Sequence, residues 1–378
     1  MAKQFGEDQV GYVKAESTFA TGVVPAATDA FRCSSFDITP NHDNPEVPET
    51  RNTRSLQERV AGRKNCNFSI EMANRPSGSA GTPPDYHDFL RQAFGTYSTP
   101  SSTATYTLLK DPSALSLSAY RMLEGVQEGF VGGIVQSVQF NWGGDQFGTI
   151  NFSGKAADIL FAGTDAANGS GSSATSLIVD EGGYFSKYGI ISVATAATTA
   201  IQITGHDGTN TLTIGSSTWA DNDAVIPYLP APTLAGNPLY GTTGSLSFDG
   251  GSSTISHISG SVSMDTGMDT FDREYGSATP TDVILPQPRR VRWNLQFVIE
   301  DNGNYSELRG DSGAGKGKNV RLDIGTTSGT ICRLESPNME LDMPPISGGA
   351  GLVECSVSGT ALTSTAAAME DEFKVIYL

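Results

Sequence analysis

The sequence predicts a mainly β protein with two tandem β-sandwich domains, each carrying a flanking helix, and a small β-module inserted between them. Composition is the first indication. Its 43 glycines sit among abundant Ser, Thr and Ala, and long Leu/Glu/Lys stretches are missing, a balance that favours strands and turns over helices. The second is period-two alternation of apolar and polar residues in two distant segments. The third is that those segments stand in the same order within a longer pattern that occurs twice, as a duplicated domain would.

In chain order, SFDIT (35–39) reads as a strand, followed by a long polar arm and then RKNCNFSIEMAN (63–74), where Cys66, Phe68, Ile70 and Met72 alternate with polar neighbours. The second copy offers SVSMD (261–265), a similar arm and RRVRWNLQFVIEDN (289–302), with Trp293, Leu295, Phe297 and Ile299 in alternation. Phe36 to Cys66 spans 30 positions and Val262 to Trp293 spans 31, which aligns Cys66 with Trp293. Each copy closes alike, INFSGKA (150–156) against CSVSGTA (355–361), with Gly154 and Gly359 in matching places.

A helix is predicted over 83–94. Thr82 serves as its cap, prolines fill its first turn, and Gly95 ends it in the left-handed region. Tyr86, Phe89, Leu90, Ala93 and Phe94 share one face, which therefore packs on a sheet. A weaker equivalent falls at 304–309. Between the copies, DAANGSGSSATS (165–176) reads as a flexible linker. YGIISVAT (188–195), TAIQITG (199–205) and NTLTIG (210–215) read as short strands, with His206-Asp207-Gly208 as a turn. Proline-rich IPYLPAPTLAGNP (226–238) closes the module. The boundaries are a first β-domain over 1–160, linker and module over 161–240, and a second β-domain over 241–378, each domain large enough to bury its own core.

Charge narrows the function. With 24 Lys and Arg against 41 Asp and Glu the net charge is −17, so the long-range field repels polyanions and argues against a charge-neutralising nucleic-acid binder. The opening residues hold no apolar core of signal-peptide length, and nowhere do about 18 apolar residues run together; a soluble protein made in the cytosol is expected. Cys33, Cys66, Cys332 and Cys355 form no CxxC pair and read as buried thiols.

Enzymatic readings fail on their partners. GDSGAGKGK (310–318) has the Gly and Lys spacing of a phosphate loop, but Gly317 stands where a magnesium-holding hydroxyl is needed, and NVRLDIG (319–325) reads as a strand where a helix is needed. The same stretch spells the tetrapeptide around a protease nucleophile, yet none of the four histidines has a matching motif. Trp219-Ala220-Asp221-Asn222-Asp223 lacks the glycine and distal glutamate of a calcium loop. The acidic run 370–372 reads as a solvated turn before the last strand. No catalytic residue, metal or cofactor is expected.

The arms are more informative. Residues 40–63 and 266–288 each place more than about twenty residues between adjacent strands, where hairpins use two to five. Their charges (Asp43, Glu46, Glu49, Arg51, Arg54, Glu58 and Arg59; Asp269, Asp272, Arg273 and Glu274) suit salt-bridged contact with another subunit.

On these features the chain resembles the major tail-tube proteins of long-tailed bacteriophages. The resemblance is carried by the opening, with ESTFAT (16–21) and a proline ahead of the first strand, and by the arm, RKNCNFSIEMAN, the helix PPDYHDFLRQAFG (83–95) and INFSGKA. It covers 11–158 best and 241–378 more loosely. It implies β-sandwiches whose inner sheets join around a ring, rings that stack through the arms, and a lumen through which genomic DNA passes without specific binding. Two domains per chain imply a pseudo-hexameric ring of three chains, with the module outside. The implied partners are further copies of the chain and the tape-measure, terminator and distal tail proteins, with assembly in the host cytoplasm, a place in the virion tail, and no membrane. Other readings are a capsid-decorating or tail-terminating protein, or a carbohydrate-binding adhesin using Trp219, Tyr228 and Tyr184 as an aromatic platform.

Overall fold

The computed structural model describes residues 9–45, 62–110, 115–193, 199–248, 251–252, 256–300, 318–342, 346–347, 353–365 and 370–378. The protein is mainly β, built of large antiparallel sheets. The first stretch of chain forms β1 (Gln9–Ala15), β2 (Ala30–Cys33), β3 (Ser35–His42), β4 (Lys64–Ala73), helix α1 (His87–Phe94), β5 (Gly95–Ser98), β6 (Ala104–Leu108), β7 (Leu117–Leu123), β8 (Val126–Gly143), β9 (Thr149–Ala156) and β10 (Asp158–Ala162). The middle forms β11 (Asp165–Ala166), β12 (Gly171–Ile178), β13 (Ile190–Val193), β14 (Ile201–His206), β15 (Thr211–Trp219) and β16 (Ala224–Pro227). The last forms β17 (Gly244–Phe248), β18 (Gly251–Ser252), β19 (Ser256–Asp265), β20 (Asp269–Phe271), β21 (Asp282–Ile284), β22 (Arg290–Val298), β23 (Lys318–Ile324), β24 (Cys332–Leu341), β25 (Ile346–Ser347), β26 (Glu354–Ala361) and β27 (Lys374–Tyr377).

The first and last sets pair in the same way. In the first, β3, β4, β9 and the C-terminal half of β8 lie side by side, while β2, β1, β7, the N-terminal half of β8 and β10 form a second layer. In the last, β19, β22, β26 and the end of β24 lie side by side, while β18, β17, β23, the start of β24 and β27 form the other layer. Two sheets meet along one long strand in each case, because β8 and β24 run through both layers.

Alternation places the cores as the sequence predicts. Cys66, Phe68, Ile70 and Met72 of β4 are buried, as are Trp293, Leu295 and Phe297 of β22; Ile299, expected to continue that row, lies past the strand end and is half-buried, and the buried row instead extends back to Val291. Helix α1 turns Phe89, Leu90, Ala93 and Phe94 inward, with the Phe89 ring stacked on Phe152 at 5.0 Å, and Gly95 ends it at φ 92°, a conformation open to glycine at little cost.

The helix begins later than expected. Thr82 is held in a preceding turn by its own N–H donating to Ser79 O, and Tyr86 occupies the cap position without a side-chain bond. Residues 304–309 and 310–317 lie outside the described residues.

Three further expectations change. Stretch 165–176 is no linker, since it contributes β11 and most of β12; the bare backbone of Gly171 lets the Trp219 ring lie against it. Strand β1 precedes ESTFAT and its proline, so that stretch does not stand ahead of the first strand. The first and last sets do not bury separate cores: one cluster runs from Val13 to Tyr377, with Trp142 edge-on to Trp293 at 5.9 Å and Phe94 against Phe373 at 5.6 Å. The middle strands, in the order β11-β16-β13-β14-β15-β12, do hold their own core around Leu177, Ile191, Ile203, Leu212 and Trp219.

Candidate assembly interface

The long sheet is the feature from which an interface is built. Strand β19 pairs antiparallel with the free flank of β8 from Ser259↔Gly143 to Asp265↔Ser137, so the two four-strand layers fuse into one sheet ordered β3-β4-β9-β8-β19-β22-β26-β24. One row of facing residues crosses all eight strands: Ser35, Glu71, Asn151, Gln139, Ser263, Arg292, Thr360 and Glu340. The row Asp37, Ser69, Ser153, Ser137, Asp265 and Arg290 lies beside it. This face is lined by hydroxyls and amides with scattered charges of both signs; the opposite face is the apolar core.

Both ends of this sheet are open among the described residues. Strand β3 pairs with β4 alone and β25 with β26 alone. The eight-residue unpaired edge of β3 is a template for further strand pairing, while β25 offers two residues at the other end.

The seam between the sets is fastened by buried polar groups. At the β8 bulge after Val135, Gln92 Oε1 of α1 accepts from Val135 N–H at 2.9 Å and Thr266 Oγ1 donates to Val135 O at 2.8 Å. A bulge leaves ladder groups unpaired, and these two side chains satisfy them. At the far end of the seam Trp142 Nε1 donates to His257 Nε2 at 3.3 Å, and burial lowers the His257 pKa to about 4. Neither residue was picked out from the sequence; a lone amide on an otherwise apolar helix face is the signal that could have found Gln92, and Thr266 offers none.

Glu16, within the ESTFAT stretch, is 2% exposed. Its carboxylate accepts from Ser116 Oγ and Ser118 Oγ at 2.5 Å each and from Gly132 N–H at 3.0 Å. Burial pushes its pKa up against these bonds. It ties the turn after β1 to β7 and β8, a structural role.

Of the predicted arm residues, Glu46, Glu49, Arg51, Arg54, Glu58 and Arg59 lie outside the described residues. Asp43 is exposed at the root of the first arm, its N–H donating to Arg63 O. The second arm folds as the β20–β21 hairpin and lies against the first set of the same chain. Asp269 pairs with Lys155 at 2.9 Å, Arg63 donates to Glu274 O at 2.9 Å, and Lys64 N–H donates to Ala278 O. Asp272 is half-buried, and Arg273 and Glu274 are exposed.

Other candidates resolve as ordinary structure. All four cysteines are buried and none is in a disulfide, the thiols of Cys66 and Cys332 pushed up to about 12 by burial. Among the described residues no cluster of three metal-ligating side chains forms. Trp219 is buried in the core of the module with Nε1 donating to Gly169 O at 3.0 Å, so it joins no exposed platform with Tyr184 and Tyr228. The acidic run 370–372 is no solvated turn: Glu372 pairs with half-buried Arg289 at 3.0 Å and Glu370 accepts from Lys110 N–H. No helix among the described residues is long and apolar enough to cross a membrane. No protein-family model matches the chain, and no curated protein matches its sequence.

Proposed function

We propose that this is a structural virion protein, a tail-tube subunit whose chain carries two tube domains of β-sandwich type, and that three chains close into a pseudo-hexameric ring. The fused eight-strand sheet carries the proposal. The β8–β19 seam supplies, within one chain, the contact that would join one chain to the next, with the open flank of β25 meeting the open flank of β3. Three such sheets bring about 24 strands to one barrel, roughly 40 Å across the backbone, which leaves room for a nucleic-acid duplex.

The chemistry of the polar face supports this reading. A lumen of hydroxyls and amides, with four carboxylates and two arginines among the fourteen residues of the two rows, offers phosphate no dense row of cations, so DNA would pass without being held by many ion pairs. Closure would also remove both open edges at once. In this reading the second arm shows how an arm lies on its neighbouring domain, and the first arm would lie the same way on the adjoining chain.

Negative-stain electron microscopy with mass photometry of the purified chain tests the proposal. Rings or tubes with a central hole, at a ring mass of three chains, are expected. A ring of six chains would sink the pseudo-hexamer, and particles with no hole at any concentration would sink the tube.

A further inference from the structure

We infer that the second arm ends in an aromatic plug, Tyr275, which seats in the cavity beside Trp142 and His257 of a second copy of this chain, stacking rings head to tail. The inference rests on the tube reading and names the surfaces that would join one ring to the next.

Plug and cavity lie at opposite ends of one strand. The arm leaves the C-terminal end of β19 at Asp265, while His257 stands near its start, roughly 26 Å away at strand rise. At the arm end Tyr275 is 102% exposed, followed by Gly276 at φ 88°, and Leu285 on the returning limb is 48% exposed. Solvated isolated apolar groups are common, but a fully presented tyrosine on a hairpin anchored through Asp269 and Glu274 is held out at a fixed place. Tyrosine and tryptophan are the side chains that most often anchor interfaces.

The opposite end offers the complement. A cavity of about 500 Å³ opens between the end of β8 and the β17–β23 layer, walled by Trp142, His257, Leu246, Ser245 and the Arg321–Asp323 pair. Beside it Phe147, 54% exposed, packs edge-on against Tyr240 at 5.0 Å. The cavity holds apolar wall for a ring and polar groups for its hydroxyl. A protrusion at one end and a cavity at the other make a heterologous contact, which propagates into a filament instead of closing.

Incorporating p-benzoylphenylalanine at position 275 of the full chain, irradiating assembled material and mapping the adduct by mass spectrometry tests this. Adducts between chains at 142–144, 241–247, 257–258 or 321–324 are expected. Adducts elsewhere in stacked rings overturn the inference and leave the ring standing; absence of any assembly overturns both it and the tube reading. In parallel, Ser245→Trp fills the cavity from an exposed position. It should leave ring mass unchanged and raise the concentration needed for stacking at least tenfold; stacking at the parent's concentration overturns the inference.

Discussion

Phe68 stands directly opposite Gly154 in the sheet, its ring lying against the space where a β-carbon on residue 154 would sit; Trp293 stands opposite Gly359 at the matching register, where the Met339 side chain takes that space instead. An aromatic side chain lying across a bare glycine fills the gap in the pleat and pins the register. The recurrence also fixes which residues correspond. Ile38 faces Phe68 and Val262 faces Trp293, so Phe68 is the counterpart of Trp293 and Ile38 of Val262. The spacing alignment of Cys66 with Trp293 is therefore displaced by two residues.

Side chains at the two glycines should cost different amounts. A β-carbon at residue 154 would collide with the carbonyl oxygen of Ile134, which is backbone, whereas at residue 359 the nearest atoms are Met339 side-chain atoms at 2.9 Å. Gly154→Ala is expected to lose about 3 kcal/mol and Gly359→Ala about 1 kcal/mol, read from urea unfolding midpoints. Equal losses would show that the Met339 side chain is as unyielding as the Ile134 backbone.

The correspondence predicts the register between chains. Phe140 faces Ile150 and Ile346 faces Cys355, the two positions four residues before the paired glycines. Within the chain Ser261 faces Asn141, so across chains Asp37 should face Ser347. The double variant Asp37→Cys, Ser347→Cys is expected to give disulfide-linked dimers and trimers on a non-reducing gel, with neither single variant doing so. The native cysteines are buried and do not compete. A double variant that stays monomeric under oxidation in assembled rings would refute this register.

Glu16 sets a pH dependence with a definite sign. Burial raises its pKa in the folded chain, so its contribution to stability is complete below the ordinary value of 4.5 and is lost as pH rises through the raised value. Glu16→Gln should remove that loss, flattening the melting temperature above about pH 5. Glu16→Ala strands the donors of Ser116, Ser118 and Gly132 and should cost about 3 kcal/mol at any pH. A parent and a Gln variant with parallel pH profiles would contradict the assignment.

His257 acts in the opposite direction. Its folded pKa is lowered from 6.5 to about 4 by burial, so stability is complete above 6.5 and falls as pH drops toward 4, by up to about 3 kcal/mol. His257→Gln should abolish this loss and keep an acceptor for Trp142 Nε1. Thermal melts between pH 4 and 7 on parent and variant would measure it.

Alternation, the α1 face with its Gly95 stop, the module strands β13, β14 and β15 and the order of the duplicated segments were legible in the chain, because side-chain period and turn chemistry are local; β11, β12 and β16 were not, since the Gly/Ser-rich and proline-rich stretches that hold them carry no apolar alternation. Burial of the cysteines followed from the same patterns. Register was not local: an alternating strand looks the same after a shift of two residues, so only the cross-strand meeting of Phe68 with Gly154 and Trp293 with Gly359 could settle it. The β8–β19 seam, the shared core from Val13 to Tyr377 and the support of Val135 by Gln92 and Thr266 also depended on the tertiary structure. Each joins residues 43 or more positions apart, and such contacts are decided by which surfaces of the folded layers meet.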